Sequence, residues 1–373
     1  MDERRAAFDA GPLANPALRA LRAYDPGHDL PALRRRFAAQ LAELGSNENP
    51  LGPSPQALAA ARAALAAAHR YPDPRGAALR EALAEAHGVP SECIALGNGS
   101  HELLMLLAQC FAGPRQAVMH SQYGFAVFAI AAAAAGARAI CVSALPRDHA
   151  EAPLGHDLAA MIRALDEDVR LVYLANPNNP TGTWFSASAL QAFLAQVPSS
   201  TLVVVDEAYG EYMDAPGLAP ALPFAASHPN LVVTRTFSKA YALAGLRVGY
   251  AIAHASVVAV LERLRESFNV NGVALAAAEA ALADRDHLAQ SLAVNARRRQ
   301  ALAGELRARG YSTLPSQTNF LLMYLGHEAA SLERHLFQRG VIVRPMGGYG
   351  LPQTLRISIG DDAENRRLLD ALP

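Results

Sequence analysis

A lysine with an arginine eight residues further on is the most chemically suggestive feature of this sequence. Lys239 comes just after an apolar run that ends at Thr234, and hydroxyl side chains precede it at Thr236 and Ser238. A lysine amine, with an ordinary pKa of ~10.4, becomes a nucleophile near neutral pH only in an apolar or cationic setting. A strand end with Arg247 close by supplies that setting. A lone lysine is otherwise an ordinary surface residue on a loop.

Two other polar segments have the spacing of functional sites. Asp206 directly follows the apolar run 202–205, which places a carboxylate at the end of a strand; its alternative role is to cap the next element. The segment 97–100, Gly-Asn-Gly-Ser, precedes a predicted helix from Glu102 to Phe111. This segment lacks the third glycine of the dinucleotide-binding motif, which argues against a Rossmann NAD site. Glycine, serine and a helix N-terminus together suit the binding of a phosphate.

The elements that must position these residues are short apolar runs that alternate with helical segments. Runs at Val169–Leu174, Leu202–Val205 and Leu231–Thr234 have the length and valine content of strands buried on both faces of a mainly parallel sheet. After residue 272 the pattern predicts long helices, rich in alanine and arginine, that reach Arg309. Strand-like runs then follow at Phe320–Tyr324, Val341–Val343 and Leu355–Ile359.

The composition favours a soluble α/β enzyme and argues against several other classes. Hydrophobic residues make up 51% of the 373 positions and charged residues 18%, which is too apolar for a disordered chain. A net charge of −1 without a basic block argues against nucleic-acid binding. The longest apolar run, 125–137, is too short for a membrane helix, and the N-terminus does not resemble a secretory signal, so we expect a cytoplasmic protein. Three cysteines without CxxC spacing predict neither disulfides nor a metal site.

Four segments resemble motifs of the pyridoxal-phosphate (PLP) aminotransferases of class I and II. The most specific is RTFSKAYALAGLRVGY at 235–250, which is similar to the cofactor-lysine segment of that family. The other three are NPNNPTG at 176–182, DEAY at 206–209 and GNGS at 97–100.

This resemblance implies a fold-type-I PLP-dependent transferase. Such a protein is an α/β protein with a large domain built on a mainly parallel seven-stranded sheet and a smaller α/β C-terminal domain. The implied divisions are an N-terminal arm at 1–54, part of which packs with the small domain, a large PLP-binding domain at 55–275 and a small domain at 276–373.

The resemblance also implies a role for each candidate residue. Lys239 forms the Schiff base with PLP, Asp206 keeps the pyridine nitrogen protonated, and Tyr209 bonds to the O3′ oxygen, so these three are the predicted catalytic residues. The implied cofactor contacts also include Asn179 at O3′ and Tyr123, stacked on the ring. The implied phosphate ligands are Gly99, Ser100, His101, Thr236, Ser238 and Arg247. A core position is the structural alternative for Tyr123.

Substrate binding and assembly are implied in the same way. Arg356 and Arg344 each lie beside an apolar strand, and a guanidinium group suits carboxylate and phosphate; surface salt bridges are the alternative for both. Asn49 is the third residue assigned to substrate. Tyr71 matches a tyrosine that reaches the cofactor phosphate of the neighbouring subunit, which implies a homodimer with shared sites.

The order and wording of the motifs from Asn47 to Gly360 are most similar to the histidinol-phosphate aminotransferase family. That similarity implies transamination of L-histidinol phosphate with 2-oxoglutarate, giving imidazole acetol phosphate and L-glutamate, in histidine biosynthesis. Two departures bear on the amino donor: relatives usually carry Asp or Asn where this chain has His101, and some have an aromatic residue at the position of Leu51. An aromatic amino acid aminotransferase is the alternative, and a PLP lyase similar to threonine-phosphate decarboxylase is a further one.

Overall fold

The computed structural model describes residues 9–14, 16–19, 21 and 28–373. Part of the predicted N-terminal arm, at 1–8, 15, 20 and 22–27, lies outside the described residues. The strands are β1 (Ala42–Glu43), β2 (Ile94–Gly97), β3 (Ala117–Ser121), β4 (Arg138–Val142), β5 (Val169–Ala175), β6 (Leu202–Asp206), β7 (Leu231–Thr236), β8 (Gly249–Ile252), β9 (Ser312–Thr313), β10 (Phe320–Tyr324), β11 (Val341–Ile342), β12 (Arg344–Met346) and β13 (Leu351–Ser358). The α-helices are α1 (Leu30–Phe37), α2 (Pro55–Ala64), α3 (Ala77–His87), α4 (Ser100–Phe111), α5 (Val127–Ala134), α6 (Leu158–Arg163), α7 (Ala187–Leu194), α8 (Ala255–Leu264), α9 (Gly272–Ala283), α10 (Arg285–Ala308), α11 (Ala330–Gln338) and α12 (Asp362–Ala371).

Seven strands form the central sheet, in the order β2-β8-β7-β6-β5-β3-β4. Strand β8 runs antiparallel to both of its neighbours, and the other four pairings are parallel. The predicted α/β fold with a mainly parallel seven-stranded sheet is therefore confirmed. Because β5, β6 and β7 are adjacent and parallel, their carboxyl ends lie side by side, where open α/β sheets bind their ligands.

Alternate residues of the central strands pack into two different core clusters. Val204 and Val232 belong to the cluster with α4, α5 and α8, in which Phe128 stacks on Tyr173 with ring centroids 4.7 Å apart. Val203 belongs to the cluster with α6 and α7 on the opposite face. Helices thus cover both faces of the sheet, which is why its central strands are continuous apolar runs in the sequence.

The C-terminal region carries a second sheet of four strands, in the order β12-β13-β10-β9, with every pairing antiparallel. Its apolar residues form a core with α10, α11 and α12. Strand β1 pairs in parallel with β11, so Ala42 and Leu44 of the N-terminal segment join this core. The pairing of β12 with β13 sets Arg344 directly opposite Arg356.

The predicted boundary at residue 275 lies inside helix α9. This helix is continuous, and its buried alanine face packs against α2. Ser54 caps α2 and also bonds to Asp284, the residue between α9 and α10, with 2.5 Å between Ser54 Oγ and Asp284 Oδ2. A division at Asp284 would keep both helices intact; the division into domains itself stays a prediction.

The described part of the chain holds no helix with both the length and the apolarity that crossing a membrane requires. The three cysteines are free thiols: Cys93 and Cys110 are partly buried, and Cys141 is exposed.

Candidate active site

A cavity of about 270 Å³ lies at the carboxyl ends of β5, β6 and β7. Ala175, Asp206 and Thr236, the last residues of these three strands, all line it. The parallel pairing of the strands therefore gathers residues that are about thirty positions apart in the sequence. The predicted site residues in the wall of the cavity are Ser100, His101, Asn179, Asp206, Tyr209, Thr236, Ser238, Lys239, Arg247, Arg344 and Arg356.

Lys239 enters the cavity from the loop that follows β7. Its Nζ donates hydrogen bonds to the carbonyl oxygens of Ser46 (3.3 Å) and Asn47 (3.2 Å). Burial of the ammonium group, and then the positive charge of Arg356, lower the pKa of Lys239 to about 8. At this pKa about a tenth of the amine is neutral at pH 7, and a neutral amine is the nucleophilic form.

Lys239 is also the only lysine in the chain, because every other residue in the Lys+Arg total of 33 is arginine. The count is an independent signal, since imine chemistry requires a primary amine and a guanidinium group cannot replace it.

Asp206 ends β6 with its carboxyl group buried beside β7. Thr234, which is its neighbour in the parallel pairing, donates a hydrogen bond from Oγ1 to Asp206 Oδ1 (2.9 Å). Burial raises the pKa of Asp206 to about 6, and the hydrogen bond from Thr234 opposes that rise. A buried carboxylate of this kind favours a neighbouring group that carries positive charge.

Tyr209 is held by a segment that comes from the N-terminal side of the chain. Asn47 Nδ2 donates to the Tyr209 hydroxyl oxygen (2.9 Å), and the tyrosine ring packs edge-on against Phe320, with centroids 5.3 Å apart. Burial raises the pKa of Tyr209 to about 12, so the phenol keeps its proton at neutral pH and can donate it in a hydrogen bond.

An anion-binding cradle is formed by the N-terminus of α4 and the loop before β8. Arg247 Nη1 donates to Ser238 Oγ (3.2 Å), and the guanidinium lies so close to Gly99 that any side chain at Gly99 would collide with it. A side chain at Gly249 would likewise collide with the backbone of Ser100. Two glycines therefore allow the helix N-terminus, with its free N–H groups, to approach the guanidinium, as phosphate binding requires.

Two details of this cradle depend on this chain's own residues. Arg247 has a φ of 59°, in the left-handed region that non-glycine residues rarely adopt, which indicates that the surrounding contacts impose its conformation. His101 lines the same wall, and burial together with the charge of Arg247 lowers the pKa of its imidazole.

Two arginines form the part of the wall that comes from the C-terminal region. Arg356 Nη1 donates to Asn179 Oδ1 (2.7 Å) and its Nη2 donates to the Gly45 carbonyl (2.9 Å), which fixes the guanidinium plane. Arg344 lies opposite Arg356 across β12 and β13, so both side chains project from the same face. Side by side, they suit a ligand with two anionic groups or one doubly charged group.

Four predicted residues are absent from the lining of the cavity: Gly99, which lies beside Arg247, and Tyr123, Tyr71 and Asn49. Tyr123 packs against the apolar cluster of Leu154, Leu322, Met346 and Leu351, and Phe125, two residues later, lines the cavity together with Tyr209. Tyr71 is exposed, with 83% of its surface accessible, and stacks on Phe268.

Asn49 also lies outside the lining of the cavity, and its substrate role stays a prediction. Its Nδ2 donates to the Ala240 carbonyl (3.0 Å) and to Ser291 Oγ (2.7 Å), and its Oδ1 accepts from Leu51 N–H (3.0 Å). These bonds tie the loop to the large sheet and to α10. The asparagine that lines the cavity is Asn47, two residues earlier.

The fold and this set of residues define an aminotransferase. Residues 39–372 match the family model for aminotransferase class I and II, and the chain belongs to that family.

The names of similar proteins also specify a substrate. "Histidinol-phosphate aminotransferase 2" of Pseudomonas fluorescens is 48% identical over 363 residues, which cover 96% of each chain. "Histidinol-phosphate aminotransferase 1" of Thiobacillus denitrificans is 48% identical over 96% of this chain and 92% of its own. The crystal structure of histidinol-phosphate aminotransferase from Sinorhizobium meliloti in complex with pyridoxal-5′-phosphate matches this fold with a TM-score of 0.85 and 34% identity, covering 96% of both chains.

Proposed function

We propose that this protein is a PLP-dependent aminotransferase that converts L-histidinol phosphate and 2-oxoglutarate to imidazole acetol phosphate and L-glutamate, a reaction of histidine biosynthesis. The names of the similar relatives support the substrate. The observation that carries the chemistry is the shared cavity of Lys239, Asp206 and Arg247, where an amine, a buried acid and an anion cradle meet. We also propose a cytoplasmic location, a reducing compartment in which free thiols such as the three of this chain persist.

The residues of the cavity fit PLP as a resident cofactor. The phosphate would be held by Ser100, Thr236, Ser238 and Arg247. Gly99 and Gly249 have no side chains that would collide with Arg247 or with the backbone of Ser100. Asp206 would hold the pyridine nitrogen, and Tyr209 and Asn179 the O3′ oxygen. When bound, PLP supplies an aldehyde carbon for an amine and a ring that withdraws electrons from the substrate's Cα.

Lys239 has two tasks in this proposal. As a neutral amine it would hold PLP at the aldehyde carbon until the amino group of the substrate takes its place. The free amine would then move a proton between the substrate's Cα and C4′ of the cofactor, first as general base and then as general acid. A pKa near 8 suits both steps, because the group can accept and give up a proton close to neutral pH.

The other cavity residues would orient the cofactor and bind the anionic groups of the substrates. Asp206, as a carboxylate, would keep a proton on the pyridine nitrogen, and that positive charge would in turn offset the cost of burying the carboxylate. Tyr209, whose hydroxyl oxygen accepts from Asn47, would donate its hydroxyl hydrogen to the O3′ oxygen. Arg356 and Arg344 receive the phosphate of one substrate and the carboxylates of the other in alternate half-reactions.

The amino-donor profile tests the substrate assignment. With 2-oxoglutarate as acceptor, we expect kcat/KM for L-histidinol phosphate to exceed that for phenylalanine or tyrosine by at least about 100-fold, since losing charge-assisted bonds to the phosphate costs about 1.5–3 kcal/mol each. Arg356→Ala should remove most of this preference.

Strong turnover of phenylalanine with none of histidinol phosphate would favour an aromatic amino acid aminotransferase. Release of CO₂ from an amino acid phosphate without dependence on a keto acid would instead favour a decarboxylase.

We further propose a homodimer in which Tyr71 completes the phosphate site of the partner. Its exposed position and its stacking on Phe268, another exposed aromatic residue, support a role outside its own subunit. Exposed Leu58, Leu65 and Leu264 add apolar surface that an interface would bury.

Mixed dimers test this arrangement. Tyr71→Phe and Arg247→Ala subunits, each poor in retaining PLP alone, should regain up to about a quarter of wild-type activity when unfolded and refolded together. Half of random dimers are then mixed, and each mixed dimer contains one intact site. Activity per chain after dialysis against limiting PLP is the measurement. Equal amounts of each homodimer, mixed without unfolding, serve as the control. If Tyr71 acts within its own chain, refolding together restores nothing.

A further inference from the structure

The segment that joins α8 to α9, at residues 265–271, contacts the anion cradle from outside the active-site cavity. None of its residues lines that cavity. Phe268, in the middle of the segment, has a φ of 61°, in the left-handed region that non-glycine residues rarely adopt. Strained residues of this kind persist where the surrounding contacts impose them, and they cluster at functional sites. The contacts of this segment therefore bear on the site next to it.

Asn269 connects the segment to the wall of the cradle that α4 forms. Its Nδ2 donates hydrogen bonds to the Leu96 carbonyl oxygen (3.2 Å), near the end of β2, and to Glu102 Oε2 (2.8 Å), in the first turn of α4. Glu102 Oε2 also accepts from the backbone N–H of Asn98 (2.5 Å). These bonds hold the turn at 97–99 from the strand before it and from the helix after it.

The orientation of the Asn269 amide is fixed by Arg265. Arg265 Nη1 donates to Asn269 Oδ1 (2.8 Å), and a guanidinium group can only donate, so the other amide atom must be the nitrogen. The guanidinium is held in turn by Glu262 Oε2 (2.9 Å) and by the Pro74 carbonyl oxygen (3.0 Å). The hydrogen bonds therefore run in one direction, from Arg265 through Asn269 to Glu102.

The same segment also contacts the wall of the cradle that carries the guanidinium. Asn271 Nδ2 donates to the Leu246 carbonyl oxygen (3.0 Å), and Leu246 immediately precedes Arg247. The ring of Phe268 stacks on Tyr71, with centroids 4.6 Å apart. One short stretch of chain is therefore bonded to both walls of the cradle.

Glu102 contributes an acceptor to this arrangement, and its charge works against the cradle. A carboxylate in the first turn of a helix favours the helix dipole, but it repels a phosphate bound at the same helix end. Both of its donors, the Asn98 N–H and Asn269 Nδ2, reach the same oxygen, Oε2. An uncharged amide oxygen at that place could accept both hydrogen bonds.

We propose that Asn269 is a positioning residue for the cofactor phosphate. Through Glu102 it fixes the turn at 97–99 and the first N–H groups of α4 at a distance from Arg247 that one phosphate can bridge. This inference rests on the proposed function, because PLP is the phosphate ligand in it. Asn269 itself contacts neither cofactor nor substrate, so its loss should weaken phosphate recognition and spare the chemical step once the cofactor is bound.

The test compares pyridoxamine phosphate with pyridoxamine, which differ only in the phosphate and form no imine with Lys239. Each is titrated by calorimetry into the full-length protein after removal of bound cofactor. The wild type should bind pyridoxamine phosphate at least about 100-fold more tightly than pyridoxamine, since each charge-assisted bond contributes. Asn269→Leu keeps the size of the side chain and removes its donors, and it should lower this ratio at least about tenfold. With saturating PLP, kcat should stay within about threefold of the wild type.

Two replacements of Glu102 separate its acceptor role from its charge. Glu102→Gln keeps an oxygen for both donors and should bind pyridoxamine phosphate as tightly as the wild type or more tightly, whereas Glu102→Leu should lose at least about tenfold. Adding Asn269→Leu to Glu102→Leu should cost less than about threefold more, because both residues act through the same bonds.

Asn230→Leu is the matched control for the loss of an asparagine. Asn230 Nδ2 also donates to two carbonyl oxygens, those of Thr201 (2.8 Å) and Pro198 (3.4 Å). It directly precedes β7, at the end of the sheet opposite the cavity, so this variant should leave the ratio of the two affinities unchanged.

The outcomes distinguish this inference from the proposed function. A wild type without a preference for pyridoxamine phosphate would overturn both. A wild-type preference that survives in Asn269→Leu, or that falls equally in Asn230→Leu, would overturn the positioning role alone. A loss in Glu102→Gln as large as in Glu102→Leu would do the same, and this pair decides the question if Asn269→Leu does not fold.

Discussion

Replacing Lys239 with alanine is expected to lower kcat by about 10⁴-fold or more and to remove all covalent attachment of PLP. The variant loses both the nucleophile and the group that moves the Cα proton, and a positioned acid or base alone contributes about 10²–10⁴-fold. Treatment of the PLP-loaded protein with borohydride, followed by peptide mapping, measures the attachment. The wild-type protein should yield one modified internal peptide, since the sequence has only one lysine.

Lys239→Arg is the matched control for the charge. It restores a cation at the position but cannot form an imine, so it should be as inactive as Lys239→Ala. Circular dichroism and a melting curve would show that both variants fold. A borohydride-stable adduct in either variant at any residue other than the N-terminal amine would contradict the assignment of Lys239.

Replacing Asp206 with asparagine is expected to change activity and stability in opposite directions. Activity should fall by about 10²–10³-fold or more, because the amide cannot hold the proton on the pyridine nitrogen. The cofactor-free variant should nevertheless unfold less readily than the cofactor-free wild type at pH 7.5. The difference follows from the pKa of about 6 that Asp206 has in the folded protein.

The sign of the stability effect comes from the two pKa values of Asp206. The folded protein holds the carboxyl proton more tightly than the unfolded chain, whose ordinary value is 3.8. As the pH rises from about 4 to about 6, this group therefore lowers the free energy of unfolding of the wild type, by about 2–3 kcal/mol in total. Asparagine does not ionise, so this loss is absent from the variant.

Urea unfolding of both cofactor-free proteins at pH 4.5 and pH 7.5 measures this difference. The gap in unfolding free energy should widen from pH 4.5 to pH 7.5. Thr234→Val is a companion variant, because it removes the hydrogen bond that favours the carboxylate form of Asp206. In this variant the free energy of unfolding should fall further between pH 4.5 and pH 7.5 than in the wild type. A gap that is constant with pH would show that Asp206 does not titrate as its burial requires.

The central strands were predictable because both of their faces are buried. The apolar runs at 169–174, 202–205 and 231–234 correspond to β5, β6 and β7, and the structure extends each run by one or two residues at its carboxyl end. Strands β3 and β4 have no comparable run. Strand β4 is at the edge of the sheet and largely exposed, so its sequence, Arg-Ala-Ile-Cys-Val, lacks the pattern of a buried strand.

Most of the predicted residues that line the cavity end or follow a strand or begin a helix, and Arg344 and Arg356 lie within strands. Lys239, Asp206 and Ser100 need only the local pattern and the parallel pairing to be brought together. Asn47 could not be found in this way, because its position depends on contacts with Tyr209 and Ser358, which are distant in sequence. Its backbone is in the left-handed region, with a φ of 55°.

The positions of the loop aromatic residues also depend on contacts outside the local pattern. Tyr123 and Phe125 both lie in the loop between β3 and α5, which contains a turn bond from the Gly124 N–H to the Ser121 carbonyl. The Tyr123 carbonyl is held by Asn178 Nδ2 at 2.8 Å, a contact across two loops. Neither bond has a signature in the local sequence.

The single ε-amine of Lys239 has a practical consequence for handling this protein. Reagents that acylate, glycate or cross-link amines can attack only the reaction centre and the chain's first residue, since arginine supplies the other side chains in the Lys+Arg total. Attachment to an aldehyde or active-ester resin would therefore orient every molecule by its N-terminus, provided that PLP already shields the inner amine. Loss of catalytic function upon such coupling would then report directly how much of the sample had lost its coenzyme.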